Sequence, residues 1–329
     1  MTITRLRTPF PSLTSDNFVA RGSAGHVFAI SRDVIFKCPT KFDHPAPSQE
    51  EEMEDSIEKM ENEKAIYKIL MEHRHPNIVH GILCVSEGIF MERLERTLQS
   101  RINQSDTLPV SLDTQCRWIQ QSTNAIVWLE DLGYVHGDLR PANILLDASE
   151  NIKLADFDST VKQGQRLLVA SEPFCKLNED YELDLAGPTS EQFALGSLFY
   201  TIRFGHEPYH DLEASTRVWK LIKNEFPATS YDDVSGDIIR GCWCSEYSSI
   251  GELQEAIRNR LCGHPWKTER KWESVNQWRS LLLLAECLTF LAKESMRADN
   301  AMYWKGWKNV LIAIVAMTVA VSLAVSGMF

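Results

Sequence analysis

Polar and apolar positions alternate along the first third of the chain and recur at helical spacing through most of the rest. From Phe18 to Lys37 the runs Val27-Phe28-Ala29-Ile30 and Val34-Ile35-Phe36 flank Ser31-Arg32-Asp33, a pattern that predicts a hairpin. Residues 41 to 52, proline-rich and then acidic, predict an exposed loop. Ile57, Met60, Ile66, Tyr67, Ile69 and Leu70 predict a helix from about Met53 to Glu72, broken at His75-Pro76-Asn77. Further strands are predicted over 78–85 and 88–91, and after Leu94 the spacing predicts helices over 112–132, 190–204, 213–223 and 250–261. Strands first and helices afterwards give an α+β chain of two lobes, a small β-rich one over 1–94 and a larger helical one over 95–262.

Beyond these lobes the pattern changes twice. Val310 to Phe329 runs twenty residues without a charge, enough at about 1.5 Å per residue to cross a hydrocarbon core of about 30 Å. Trp304 and Trp307 stand where an interfacial aromatic belt falls, and Lys305 and Lys308 put positive charge on the cytosolic side. Residues 309–329 are therefore predicted to form a C-terminal transmembrane helix that holds the preceding chain at a membrane, in the cytosol; a buried core helix is the alternative. The lack of basic residues after the span points to the endoplasmic reticulum rather than the mitochondrial outer membrane. Residues 263–308, a basic juxtamembrane segment, carry eight Lys/Arg against five Asp/Glu, while the whole chain stands at −11. With Trp266, Trp272, Trp278 and the run Leu281–Leu284, this segment suits either an amphipathic helix at the membrane interface or a helix packed on the lower lobe.

With 44% hydrophobic residues the chain can bury a sizeable core, and its acidity argues against nucleic acid as a partner. The eight cysteines show no framework spacing and the polar start is not a signal peptide, which fits a reducing compartment. Cys242 and Cys244 lack the second pair a zinc site needs, so buried thiols are expected.

The candidate chemistry lies in His136-Gly137-Asp138-Leu139-Arg140-Pro141-Ala142-Asn143, followed eighteen positions after Asp138 by Asp156-Phe157-Asp158. Asp138 can orient a hydroxyl and accept its proton. Asn143 offers an amide oxygen and Asp156 a carboxylate to Mg²⁺. The runs 144–147 and 152–155 between them predict a hairpin that presents both metal ligands at one end.

Here the chain resembles the eukaryotic protein kinases, whose catalytic loop reads H-R-D-x-x-x-x-N and whose metal motif reads D-F-G, and within them the divergent kinase-like proteins of filamentous fungi. The resemblance covers about Phe18 to Leu261 and implies a two-lobed protein-kinase-like fold that uses ATP and Mg²⁺ and modifies Ser/Thr hydroxyls of a protein substrate. It implies that the loop from Ala20 through Gly22 and Gly25 to Val27 covers the phosphates, with Val27 over the adenine. It implies that Lys37 grips the α- and β-phosphates, and that main-chain groups of Met91, Glu92 and Leu94 hold the adenine edge. Lys37 needs a helix glutamate; Glu63 is the choice and Glu61 its competitor. Arg140 stands where a lysine is usual and would support the transferred phosphate, a surface arginine bonding nearby carboxylates being the alternative.

Several positions depart from the family. Ala20 replaces the first glycine. Ile35 replaces a small alanine, which implies a cramped adenine pocket. Gly137 replaces the arginine that receives a phosphorylated activation loop, so activation by that route is not expected. Asp158 replaces a glycine and loses its freedom at positive φ. Glu191 replaces the aspartate that braces the catalytic loop, and no A-P-E is present beyond the echo Ser171-Glu172-Pro173. An active membrane-anchored kinase is the first expectation, and a membrane-tethered pseudokinase or scaffold the second.

Overall fold

A computed structural model describes residues 5–104, 108–261 and 272–297. The chain divides into two compact units. Of the described residues, the first comprises those up to Arg74, His80–Arg93 and Trp272–Arg297, and the second comprises His75–Val79 and those from Leu94 to Leu261.

The first unit is built on an antiparallel sheet of β1 (Phe18–Gly22), β2 (Gly25–Ala29), β3 (Val34–Cys38), β4 (Gly81–Val85) and β5 (Gly88–Glu92), in the order β1-β2-β3-β5-β4. Its register opposes Lys37 to Val27 on one side and to Ile89 on the other. Because strand side chains alternate, Val34, Phe36 and Cys38 share one face of β3 and Ile35 and Lys37 share the other.

Helix α1 (Pro47–Glu72) begins earlier than the apolar spacing predicts, inside the acidic stretch read as loop. Proline at its first position is preorganised for a helix, and the acidic residues that follow sit in the favourable field of its N-terminus.

The larger difference concerns the segment after the helical lobe. Residues Trp272–Arg297 form a helix that joins the strand-rich unit and packs on its sheet, not on the lower, helical lobe. Leu283, Cys287 and Leu291 form a helical stripe buried among Phe28, Val34, Phe36, Cys38 and Phe90. Fully burying each large aliphatic or aromatic side chain here favours the fold by about 1.5–3 kcal/mol, so the outer face of the sheet takes this helix as its cover. Among the described residues no helix is long and apolar enough to cross a membrane, and the expected span 310–329 lies outside them.

The second unit holds α2 (Leu112–Asp131), the hairpin β6 (Ile144–Leu146) and β7 (Ile152–Leu154), α3 (Pro188–Phe204), α4 (Ala214–Ile222), α5 (Gly236–Trp243) and α6 (Ile250–Arg260); in chain order the helix Trp272–Arg297 of the first unit is α7. Ser111 caps α2 by accepting the Thr114 amide at 3.2 Å. The short helix α5 is not legible as a periodic run; it buries Cys242, whereas Cys244 is exposed, against the expectation for the second thiol. No cluster of metal-ligating His, Cys, Asp or Glu occurs among the described residues.

Candidate active site

In the strand-rich unit, Lys37 and Glu63 form an ion pair at 2.7 Å with side chains only 6% and 1% exposed. Glu63 lies on the buried face of α1 with Ser56, Met60, Tyr67 and Leu70. Glu61 is 60% exposed and pairs with Lys64 at 2.7 Å, so the choice between the two glutamates falls to Glu63. Two charges this dry hold only as a pair, because either alone would carry an uncompensated desolvation cost.

The glycine-containing turn is fixed to the same helix. Ser56 donates its hydroxyl to Ala24 O at 2.9 Å and accepts the Thr40 amide at 2.8 Å. Gly25 has φ 138, and a Cβ there would meet Cys38 O at 2.1 Å, so only glycine fits. Gly22 has no such constraint, since the nearest atom to an added Cβ is Gly25 O at 4.0 Å. Val27 stands beside Lys37 in the register and Ile35 opposite Met91. Two amides of the adenine-edge run are committed to main-chain bonds: Glu92 N–H donates to His80 O at 2.9 Å and Arg93 N–H to Asp33 O at 2.8 Å. The Glu92 carboxylate also accepts the His80 amide at 2.9 Å. Leu94 belongs to the second unit.

In that second unit the catalytic-loop residues converge locally. The wholly buried His136 accepts the Asp138 amide on Nδ1 at 3.3 Å, which sets the proton on Nε2 to donate to Ala155 O at 3.0 Å. Its ring meets Phe157 edge-on at 5.3 Å. One ring thus ties the catalytic loop to the metal-motif segment. Asn143 donates from Nδ2 to Asp138 O at 2.9 Å and to Asp138 Oδ2 at 2.7 Å, which turns its amide oxygen away from Asp138. Arg140 reaches Oδ2 through Nε at 3.2 Å, with its side chain 40% exposed. The other Asp138 oxygen, Oδ1, is buried and has no hydrogen-bond partner. A buried carboxylate oxygen left open is an acceptor held ready for a donor that the protein does not supply.

The brace read at Glu191 is present. Gly137 donates its amide to Glu191 Oε1 at 3.3 Å, and burial raises the acid's pKa against the opposing influence of His136 and the loop amides. Gly137 itself has φ 79, and a Cβ would meet Ser159 O at 2.6 Å; the loop's path, not only the lost guanidinium, separates it from an arginine. The strain expected at Asp158 falls elsewhere. Asp156 is the residue with positive φ, at 64, while Asp158 is buried and accepts the Ser159 hydroxyl at 3.0 Å. An aspartate tolerates the left-handed region at small cost, and such strain collects where a side chain must be aimed.

The segment between this motif and α3 has its own supports. Val161–Lys162 pairs with Tyr134–Val135, and Val135, Leu167 and Ala186 form a small core. Glu172, of the echo Ser171-Glu172-Pro173, accepts two bonds from Arg217 on α4 at 2.6 and 3.0 Å. Sequence reasoning misses that pair, since nothing in either local pattern names its partner. Arg140, Glu172, Glu207 and Gln99 line a cavity of about 240 Å³ in this unit.

A β-sheet unit with a buried Lys–Glu pair, and a helical unit with an Asp–Asn loop beside a strained aspartate, define a protein of the kinase class. Residues 19–243 match the family model described as protein kinase domain, and the chain belongs to that family. Among curated relatives, a probable serine/threonine-protein kinase of Dictyostelium discoideum is 26% identical over 65% of this chain and 34% of its own length. Protein kinase C eta type of Homo sapiens is 28% identical over 46% of this chain and 23% of its own, and cell division control protein 7 of Schizosaccharomyces pombe 28% over 58% and 18%. The matched region thus spans about a third or less of each of these relatives.

Proposed function

We propose that the chain is a protein kinase that transfers the γ-phosphate of Mg-ATP to Ser/Thr hydroxyls of a protein substrate, held at a membrane by residues 310–329. The observation that carries the reading is the buried, unpartnered Asp138 Oδ1 beside Arg140 and Asn143. Asp138 orients the substrate hydroxyl and takes its proton on Oδ1, while Asn143 and Arg140 hold Oδ2 still. Lys37, steadied by Glu63, draws charge from the α- and β-phosphates, and the exposed Arg140 guanidinium supports the transferred group. Asn143 and Asp156 would hold Mg²⁺, and the outward amide oxygen of Asn143 fits a hard cation that prefers oxygen donors. The bound ion would neutralise phosphate charge. Serine/threonine specificity rests on the names of the relatives, and cytosolic exposure at the endoplasmic reticulum on the charge pattern around the uncharged run.

The test is phosphate transfer from Mg-ATP to a generic protein substrate, and to the chain itself, by the full chain in detergent beside Asp138→Asn. The expected result is a turnover loss of about 10²–10⁴ with an unchanged melting temperature. Silence in both proteins, with nucleotide still raising the melting temperature, would replace the enzyme by a nucleotide-binding scaffold.

A further inference from the structure

Helix α7 is apolar on two opposite faces. One carries Leu283, Cys287 and Leu291 and is buried on the sheet. The other carries Trp278, Leu281, Leu282 and Met296, which are 40%, 37%, 48% and 49% exposed. These four share a face with Ala285 and Thr289 at the spacing of a second helical stripe.

The helix also carries exposed cations beside this stripe. Glu286 accepts the Ser31 hydroxyl at 2.5 Å, and the buried Glu294 accepts the Ser12 amide at 3.2 Å. Arg279, Lys293 and Arg297 are exposed, Arg279 lying 4.0 Å from Glu92 and Arg297 2.5 Å from Glu294. About a dozen residues separate Arg297 from the uncharged run at Val310, a reach of at most roughly 40 Å, and they include Trp304 and Trp307.

We propose that the outward stripe of α7 lies in the headgroup region of an anionic bilayer and pins the strand-rich unit to it. The proposal rests on the reading of residues 310–329 as a membrane anchor and adds a second contact. Trp278, Leu281 and Leu282 enter the acyl boundary while Lys293 meets lipid phosphates and the exposed Arg279 and Arg297, each already beside a carboxylate, add to the attraction, an arrangement suited to apolar burial together with basic attraction.

The experiment uses the full chain, reconstituted into phosphatidylcholine vesicles with and without phosphatidylserine, with a photoreactive benzoylphenylalanine in place of Leu282 or, as a control, of Tyr231, which is 85% exposed on the other unit. Flotation with the vesicles, with lipid adducts at 282 that rise with phosphatidylserine and are absent at 231, is the expected outcome. Flotation without lipid adducts at 282 would overturn the proposal and leave the anchor standing. Adducts at 282 to protein, whether a second copy or the chain's own tail, would overturn it in favour of that occupant. Failure to float would overturn the anchor reading and the proposal together. A paired Leu281→Gln/Leu282→Gln variant, altered only on exposed positions, should keep flotation and lose the phosphatidylserine-dependent protection of α7 from protease; unchanged protection would count against the stripe.

Discussion

The two units hold their candidate catalytic groups by different means. In the helical unit His136, Asp138, Asn143, Asp156 and Phe157 lie within one short stretch of sequence, and bonds and a ring contact within that stretch link the catalytic loop to the metal motif. In the strand-rich unit Lys37 is fixed by a glutamate on α1 and by a strand whose far face is covered by α7, more than two hundred residues further along the chain. Local geometry can be written as a motif. Geometry that depends on distant packing cannot, and it also concentrates stability in a few buried contacts.

The comparison is most exposed at Glu63. Glu63→Gln leaves the Lys37 cation buried against a neutral partner and should cost about 3–5 kcal/mol, whereas Glu61→Gln, at a side chain 60% exposed whose buried partner Lys64 also reaches Ser86 O at 3.4 Å, should cost about 1 kcal/mol. Denaturant midpoints of the two variants measure the gap, and equal losses would dissolve the assignment of Glu63. Next comes α7. Leu283→Ala removes a buried side chain facing the sheet and should cost about 2–4 kcal/mol. Hydrogen exchange would show the loss in β3 and β5 and spare α2; unchanged protection in β3 would mean that the helix does not support the lysine strand.

This division also explains what was legible. Asp138, Asn143 and Asp156 announce themselves because the chemistry needs those residue types at fixed local spacing, and the hairpin between them follows from two short apolar runs. The sheet was readable from alternation at Phe28, Val34 and Phe36, but alternation says only that one face is apolar, not what covers it. The Leu281–Leu284 run advertised an amphipathic helix while leaving its docking partner open. The acidic turn of α1 is not legible as helix in the apolar spacing because its stabilising features, the fixed φ of proline at the first position and acid in the terminal field, are not periodic. The positive φ at Asp156 and not Asp158 was beyond any pattern, since it reports how the loop is aimed.

Within the local half, two glycines separate backbone conformation from close approach. Gly133 and Gly137 both have φ 79, yet an added Cβ at Gly133 meets nothing within 4 Å and one at Gly137 meets a backbone oxygen at 2.6 Å. Gly133→Ala should cost about 1 kcal/mol for the left-handed conformation alone. Gly137→Ala should cost about 2–3 kcal/mol and lower turnover further, because the shift is passed to Asp138 and to the Glu191 bond. Equal stability of the two variants would show that Ser159 gives way freely and that the loop is less constrained than its bonds suggest.

The smallest effect sharpens the contrast through pH. His75 opens the short stretch that the helical unit takes from between α1 and β4; its ring stacks on Trp128 at 5.4 Å, and its Nδ1 accepts the Asn77 amide at 3.2 Å. Burial, with the Lys153 charge adding to it, lowers its pKa from 6.5 to about 4. Between those values the folded chain binds fewer protons than the unfolded one, so this group's contribution is complete above about pH 6.5 and is lost as pH falls toward 4. For a half-buried ring, partly screened by water, the loss should be about 1–2 kcal/mol. His75→Gln cannot charge, so its urea midpoint should fall less than the parent's between pH 7 and pH 4.5, although at pH 7 it lies lower for the missing ring contact. Parallel falls in the two proteins would assign the acid sensitivity to other groups, with His26 of the strand-rich unit, whose pKa burial also lowers, next to be replaced.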